Sequence, residues 1–221
     1  MNVSDALEKR KSVRAFTDQQ VPESVIKELL ALAGKAPSGT NTQPWQACVL
    51  TGESKKALEA KMETAFRDRQ PQKMDYLYYP EDWQEPYRSR RKECGLLMYR
   101  TLEISREDKE KQINQWAANY RSFDAPVMLI FYIDAVMQQG SYLDFGLFLQ
   151  SLMLAAVEKG LATCPQAALG EYPDIVREFL DLDENKHIVC GMALGYENTS
   201  ALVNSYRTPR EPIDNWVRFR S

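Results

Sequence analysis

The chain has 221 residues, 44% of them apolar and 27% charged, enough to close one hydrophobic core without disulfide or metal staples. Its 28 Lys and Arg stand against 31 Asp and Glu, a net charge of −3, which argues against a nucleic-acid binder with its basic excess or stripe. Cys48, Cys94, Cys164 and Cys190 are scattered, no C-x-x-C pair occurs and His187 is the sole histidine, so a zinc site lacks its clustered ligands. A Ser-His-Asp or Cys-His hydrolase would have to use His187; opening the apolar run His187–Cys190, it reads instead as a strand-end histidine. The Met1–Asp5 start lacks the basic, apolar, small-residue order of a signal peptide. The expectation is therefore a cytoplasmic chain with reduced thiols.

In chain order, Ser4 is expected to cap a short helix running to about Lys9 or Lys11. Val13–Phe16 alternates as an extended segment does. A second helix starts at Pro22, with Val25, Ile26, Leu29, Leu30 and Ala33 along one face. It ends where Pro37 forces Ala36 out of helical geometry. Pro37–Pro44 is a loop and Trp45–Leu50 a strand. A helix over Glu53–Arg67 turns Leu58, Met62, Ala65 and Phe66 inward. Residues 68–90 show neither period; Asp75–Tyr87 is aromatic, acidic and broken by proline. Long connections of this kind form lids or binding loops, or their aromatics merely pin a surface excursion, and the residues leave both readings open. Helices follow near 88–103 and 106–120, the second behind the capping box Ser105-x-x-Asp108, and the charge run Glu107–Lys111 marks a solvated face.

Val127–Ile133 is continuously apolar after Pro126 and reads as a central buried strand. Tyr142–Val157 is a helix apolar nearly all round, hence buried in a core or at an obligate interface. It is too short, and too interrupted by Asp144, Gln150 and Ser151, for a membrane span. Gly160 stops it. A short strand over Leu161–Cys164, a helix over Pro173–Leu180 and a strand over His187–Leu194 complete the order. The tail 198–221 ends in the strand-like alternation Trp216–Phe219, too late to build its own core, and is expected to pack as an arm on a partner subunit. The whole is one domain, 1–221, with an excursion over 68–105.

Neither G-x-x-x-x-G-K-[ST] nor G-x-G-x-x-G occurs, and Gly191-x-x-x-Gly195 reads as close packing within a strand. Four other pieces carry chemistry. In Arg10-Lys11-Ser12-Val13-Arg14 an extended backbone brings Arg10, Ser12 and Arg14 to one face, where guanidinium forks and a hydroxyl can clamp a phosphate; taken alone, surface cations explain it as well. In Pro37–Trp45, Gly39 allows close backbone approach, and the Asn41 and Gln43 amides both donate and accept, as a uracil-like edge requires; a turn-rich connection reads equally well. The third is Gly160–Ala168, whose small residues after a strand suit a flat ring. The fourth is Arg207-Thr208-Pro209-Arg210-Glu211-Pro212, a stiff segment offering cations to the same phosphate.

In this order the four pieces resemble the FMN-dependent nitroreductase family over nearly the whole chain. Arg10–Phe16 is similar to its R-R-S-x-R-x-F/Y opening, with Lys11 a mild departure. Ala36–Trp45 is similar to its A-P-S-x-x-N-x-Q-P-W loop, the most specific of the four, and Arg210-Glu211-Pro212 resembles its R-x-P. Asp75–Arg91 and Thr163–Ala168 are similar to the branch containing nitrobenzoate reductases. The resemblance implies an α+β fold, a mostly antiparallel sheet flanked by helices, assembled as an intertwined homodimer with FMN at the subunit interface. It implies that Arg10, Lys11, Ser12 and Arg14 hold the phosphate and ring edge, and that Ser38, Asn41 and Gln43 border the ribityl chain and pyrimidine. Pro165, Gln166 and Ala167 would line the ring, with the Ala167 N–H near flavin N5, and Arg210 would reach the phosphate, with Arg207 its rival. Relatives with a side-chain hydroxyl or carboxylate at the Ala167 position have a tuning group that this chain lacks. NADH or NADPH would pass a hydride to the flavin, and a nitroaromatic would then take the electrons pairwise in the same space; no side-chain nucleophile is needed, and Arg14 would stabilise negative charge on the ring. Tyr76, Tyr79, Trp83 and Tyr87 would stack on an aromatic substrate, with Arg91, or Arg88 or Arg90, on a carboxylate. Quinone, enone or flavin reduction, reductive dehalogenation, a non-catalytic flavin carrier and a flavin-free metabolite-binding domain stand as alternatives. No nucleic acid, membrane or metal is expected.

Overall fold

A four-stranded antiparallel sheet organises the computed structural model, in which residues 1–220 are described. Strands β1 (Gln46–Thr51), β2 (Val127–Asp134), β3 (Ala162–Gln166) and β4 (Lys186–Gly195) lie in the order β1-β2-β4-β3. The unbroken apolar run in β2 follows from burial on both faces. Val127, Leu129, Phe131 and Ile133 face α2 (Glu23–Ala33) and α6 (Gln139–Glu158). Met128 and Ile130 point the other way, to α3 (Gly52–Arg67) and α7 (Pro173–Leu180), as the period of two requires. Gly191 and Gly195 serve close packing, as expected: a Cβ would lie 2.3 Å from Leu169 Cδ1 at the first and 2.5 Å from Pro126 Cδ at the second.

Several boundaries differ from expectation, each for a local reason. Asn2, not Ser4, caps α1 (Val3–Lys9): its side chain accepts the Asp5 N–H at 2.8 Å while the Asp5 carboxylate takes the Asn2 N–H, a reciprocal pairing that a lone serine cannot match. α2 ends at Ala33, and hydrogen-bonded turns carry the chain through Lys35 and Ala36 to Pro37. α4 (Tyr87–Thr101) and α5 (Lys109–Ala117) are close to their expected places, but the Ser105–Asp108 pair closes a turn ahead of α5, the Ser105 hydroxyl accepting from Glu107 N–H and the Asp108 carboxylate from Ser105 N–H. α6 has 20 residues rather than 16, which by length and composition is enough to cross a membrane; shortness therefore excludes nothing. Its inner face, Phe145, Phe148, Leu152 and Ala156, is part of the core. The Trp216–Phe219 alternation forms no strand; a 3-10 turn at Ile213–Asn215 precedes it.

Candidate functional site

Residues 10–14 run extended beside β3, where Ser12 bridges Thr163 and the Val13 N–H donates to the Thr163 carbonyl at 3.0 Å. Val13 is buried, while its alternate neighbours Arg10, Ser12 and Arg14 line one cavity of about 580 Å³ with Tyr206, Arg207 and Arg210. The two ends of the chain meet there through Asn204, a buried amide the sequence did not single out. Its Oδ1 accepts the Arg14 N–H at 2.8 Å, and its Nδ2 donates to the Ala15 and Asn198 carbonyls. A single asparagine in an aperiodic tail carries no signal of such a role. Tyr206 was also missed; its hydroxyl lies 3.5 Å from Arg14 Nη1.

The cavity is built for an anion. Among the described residues, none of Arg10, Arg14, Arg207 and Arg210 forms an ion pair, although Glu8 lies on the same wall. Carbonyls aim the guanidiniums instead: Arg207 donates to Lys9 and Arg10, Arg210 to Thr208 and Pro209, Arg14 to Ser12. Partial burial, then the charges of Arg210 and Arg207, hold the Arg10 pKa below its ordinary value. Converging cations that no carboxylate pairs repel one another until an anion enters, and forked donors suit a phosphate dianion. Lys11 is different. Its ammonium is tied to the Glu197 carboxylate at 2.7 Å and the Asn204 carbonyl at 2.6 Å, so it fastens the tail.

Pro165, Gln166 and Ala167 line a separate cavity of about 230 Å³, with Tyr76 and Tyr142 on its wall. Gln166 is buried; its Nε2 donates to the Asn119 carbonyl at 2.8 Å, and its Oε1 has no protein partner. Tyr76 is fixed there. Its hydroxyl donates to the Val189 carbonyl at 2.7 Å and its ring packs on Tyr142. Just before it, the Asp75 carboxylate accepts from Arg177 and from the Ile188 N–H. The start of the excursion is thus bolted to β4 and α7. Trp83 and Tyr87 line neither cavity; Arg91 stacks over Trp83, 5.1 Å from the ring, and Arg90 lies over Tyr87. The expected substrate group is therefore dispersed: Tyr76 is a fixed wall, Trp83 and Arg91 a pair, and Tyr87 an exposed ring at the head of α4.

Ser38, Asn41 and Gln43 also line neither cavity. Their loop is held to α6, where the Asp144 carboxylate accepts the Gly39 N–H at 3.0 Å, and inside it the Ser38 hydroxyl accepts the Gln43 N–H. Thr40, Asn41 and Gln43 adopt left-handed φ of 48°, 62° and 47°, a strain that side-chain-bearing residues keep where a site needs it. Asn41 and Gln43 are exposed. A single chain brings the arginines together but not this loop.

Two of the four thiols are buried away from solvent. Burial pushes the Cys164 thiol up to about 11 and Cys190 up to about 12, so both are protonated at neutral pH. His187 stands at the start of β4 with its Nδ1 3.3 Å from the Tyr142 hydroxyl, the strand-end place expected.

Comparison with known proteins agrees with this geometry. The family model described as "Nitroreductase family" matches residues 7–196. A 4-nitrobenzoate reductase of Pseudomonas putida is 41% identical over 95% of this chain and 92% of its own length. A chloronitrobenzene nitroreductase of Comamonas testosteroni is 34% identical over 98% and 96%. Among solved structures, the FMN- and NADPH-dependent nitroreductase NfnB from a Sphigopyxis strain superposes with a TM-score of 0.96 at 38% identity, covering all of both chains. NfnB from Mycobacterium smegmatis, solved in complex with NADPH, gives 0.93 at 31%, again over both full chains. With its antiparallel sheet, its arginine-lined cavity and relatives of this closeness, the chain belongs to the nitroreductase family.

Proposed function

We propose that this protein is an FMN-dependent NAD(P)H nitroreductase that reduces nitroaromatic compounds. The observation carrying this reading is the guanidinium cluster at Arg10, Arg14, Arg207 and Arg210, which among the described residues has no ion-pair partner. Its fit to the phosphate of FMN rests on charge and donor geometry. The forks supply paired N–H groups and Ser12 a hydroxyl, while the orphaned Gln166 Oε1 is an acceptor left for a donor near the adjoining cavity. When bound, FMN supplies the hydride chemistry between reductant and nitro group. Arg10, Ser12, Arg207 and Arg210 would hold the phosphate, and Arg14 would supply a fixed positive charge that favours electron density on the ring. Pro165, Gln166 and Ala167 would line the ring. Asn41, Gln43 and Ser38 reach it from a second copy of the chain, which makes the working unit a homodimer, placed in the cytoplasm.

The absorption spectrum of the purified protein tests the reading. A yellow protein with a flavin band near the visible blue, bleached anaerobically by NADPH or NADH and restored by nitrobenzene, is the expected result. A colourless protein that takes up no FMN would refute it. A flavin that no nicotinamide bleaches would leave a carrier rather than an enzyme. A quinone and a halotyrosine in the same assay distinguish the other reactions of this scaffold.

A further inference from the structure

A third cavity, of about 520 Å³, lies under α4 and is lined by Arg14, Arg88, Arg91, Lys92 and Arg106, without a single carboxylate. That composition stands out in a chain whose net charge is −3. Arg88, Arg91 and Lys92 share a helix face by their spacing of three and four, and Arg106 comes from the loop after α4. Among the described residues none of the five is in an ion pair; the neighbouring Arg90, on the other side of the helix, takes Glu211 at 3.3 Å. Arg88 donates to the Trp83 carbonyl and Arg91 stacks on the Trp83 ring. Lys92 and Arg106 have no side-chain hydrogen bond among the described residues, so their charges are free for a ligand.

Most of the remaining wall is apolar or aromatic, including Trp116 from the end of α5 and Phe123, with the Gln115 and Asn119 amides beside them. A flat ring can stack on such a wall while a carboxylate on it meets the cations. The cavity adjoins the cofactor site at two points. Arg14 borders both this cavity and the phosphate cavity, and Asn119, on the wall here, holds Gln166 through its carbonyl. A ring bound here would lie between Arg14, shared with the proposed cofactor cavity, and the unpaired cations Lys92 and Arg106 of the same lining. We propose that this cavity is a carboxylate-binding subsite that selects nitroaromatic acids, with Lys92 and Arg106 as its specificity-determining residues. The proposal rests on the nitroreductase reading and names the substrate class within it. Small-molecule pockets of roughly 300–1,000 Å³ with a few placed polar groups are of the right kind.

The test compares 4-nitrobenzoate with uncharged nitrobenzene at saturating reductant, in the FMN-loaded wild type and in Arg106→Ala and Lys92→Gln. Both residues are exposed, so both variants fold. The expected result is a wild-type preference for the acid and a fall of about tenfold in the nitrobenzoate-to-nitrobenzene ratio of kcat/KM in each variant, equivalent to about 1.4 kcal/mol. Binding of benzoate, which cannot be reduced, weakens by about tenfold in calorimetry, a readout independent of turnover. An unaltered ratio in both variants, or a loss confined to NADPH against NADH that marks the cations as a 2′-phosphate site, would overturn the proposal while nitrobenzene reduction keeps the parent reading intact. If the wild type reduces neither nitroarene, both fall together.

Discussion

Arg14 borders both the arginine-lined cavity and the cavity under α4. Its backbone N–H is fixed by Asn204 and its guanidinium is steered by the Ser12 carbonyl and the Tyr206 hydroxyl. Charge-assisted hydrogen bonds are worth about 1.5–3 kcal/mol, so Arg14→Ala is expected to weaken FMN binding at least tenfold and to slow reduction by NADPH. Flavin-fluorescence titration and stopped-flow bleaching measure the two, and Arg14→Lys should recover part of both. Unchanged affinity and rate in the alanine variant would remove Arg14 from its role. Lys11→Ala gives the contrast. Its ammonium serves Glu197 and Asn204, and it lines the cavity already neutralised by that carboxylate, so FMN affinity should change less than in Arg14→Ala. Arg10, Ser12 and Arg14 were readable in the sequence because an extended backbone needs only a period of two to put them on one face. Asn204 and Asn119 were not, since each acts through one amide and a partner over forty residues away.

Of the elements, α3 holds the least expected electrostatics. Lys55 and Glu59, one turn apart and facing the core, are both buried, with ammonium and carboxylate 2.6 Å apart. Arg121 also favours the charged carboxylate and Asp124 opposes it, yet desolvation wins and raises the Glu59 pKa to about 7. The sign of the pH dependence follows. Between its ordinary value of 4.5 and about 7 the folded chain holds a proton that the unfolded chain has lost. Stability is therefore greatest below that window, falls as pH rises through about 7, and levels off above it. Urea unfolding at pH 5 and pH 8 should show the wild type losing about 1–3 kcal/mol. Glu59→Gln should lose less, with a residual slope of the same sign from Glu171, whose pKa burial also raises. An equal loss in both proteins would mean that Glu59 titrates normally. Helical spacing alone places Leu58, Met62 and Ala65 inward, whereas a buried Lys–Glu pair at i, i+4 looks the same on paper as a solvated one. The excursion was opaque for another reason: its start is held by Asp75 to Arg177, 102 residues away, and no local period encodes a contact of that range.

The molecule as a whole carries an imbalance that one chain does not resolve. Along the outer side of α6, Leu143 is 71% exposed and Leu147 42%, and α1 beside it shows Val3 and Leu7. Ile213, Trp216 and Phe219 are exposed in the tail. Soluble monomers seldom leave apolar surface so gathered. The strained Ser38–Gln43 loop is pinned by Asp144 to the same helix, so a two-fold contact along α6 would cover the leucines and carry each loop toward the other chain. Such an isologous contact makes two equal sites. Leu143→Asp with Leu147→Asp should then sediment as a folded monomer that has lost FMN. A sharper test pairs two chains, one with Arg10→Ala and the other with Asn41→Ala, each of which should bind FMN weakly as its own homodimer. In the mixed dimer, sites shared between the chains would leave one site with both substitutions and the other with neither. If arginines and loop come from different chains, the isolated mixed dimer holds one flavin with wild-type affinity. If each chain completes its own site, the two sites are each damaged once, and no tight flavin binding returns.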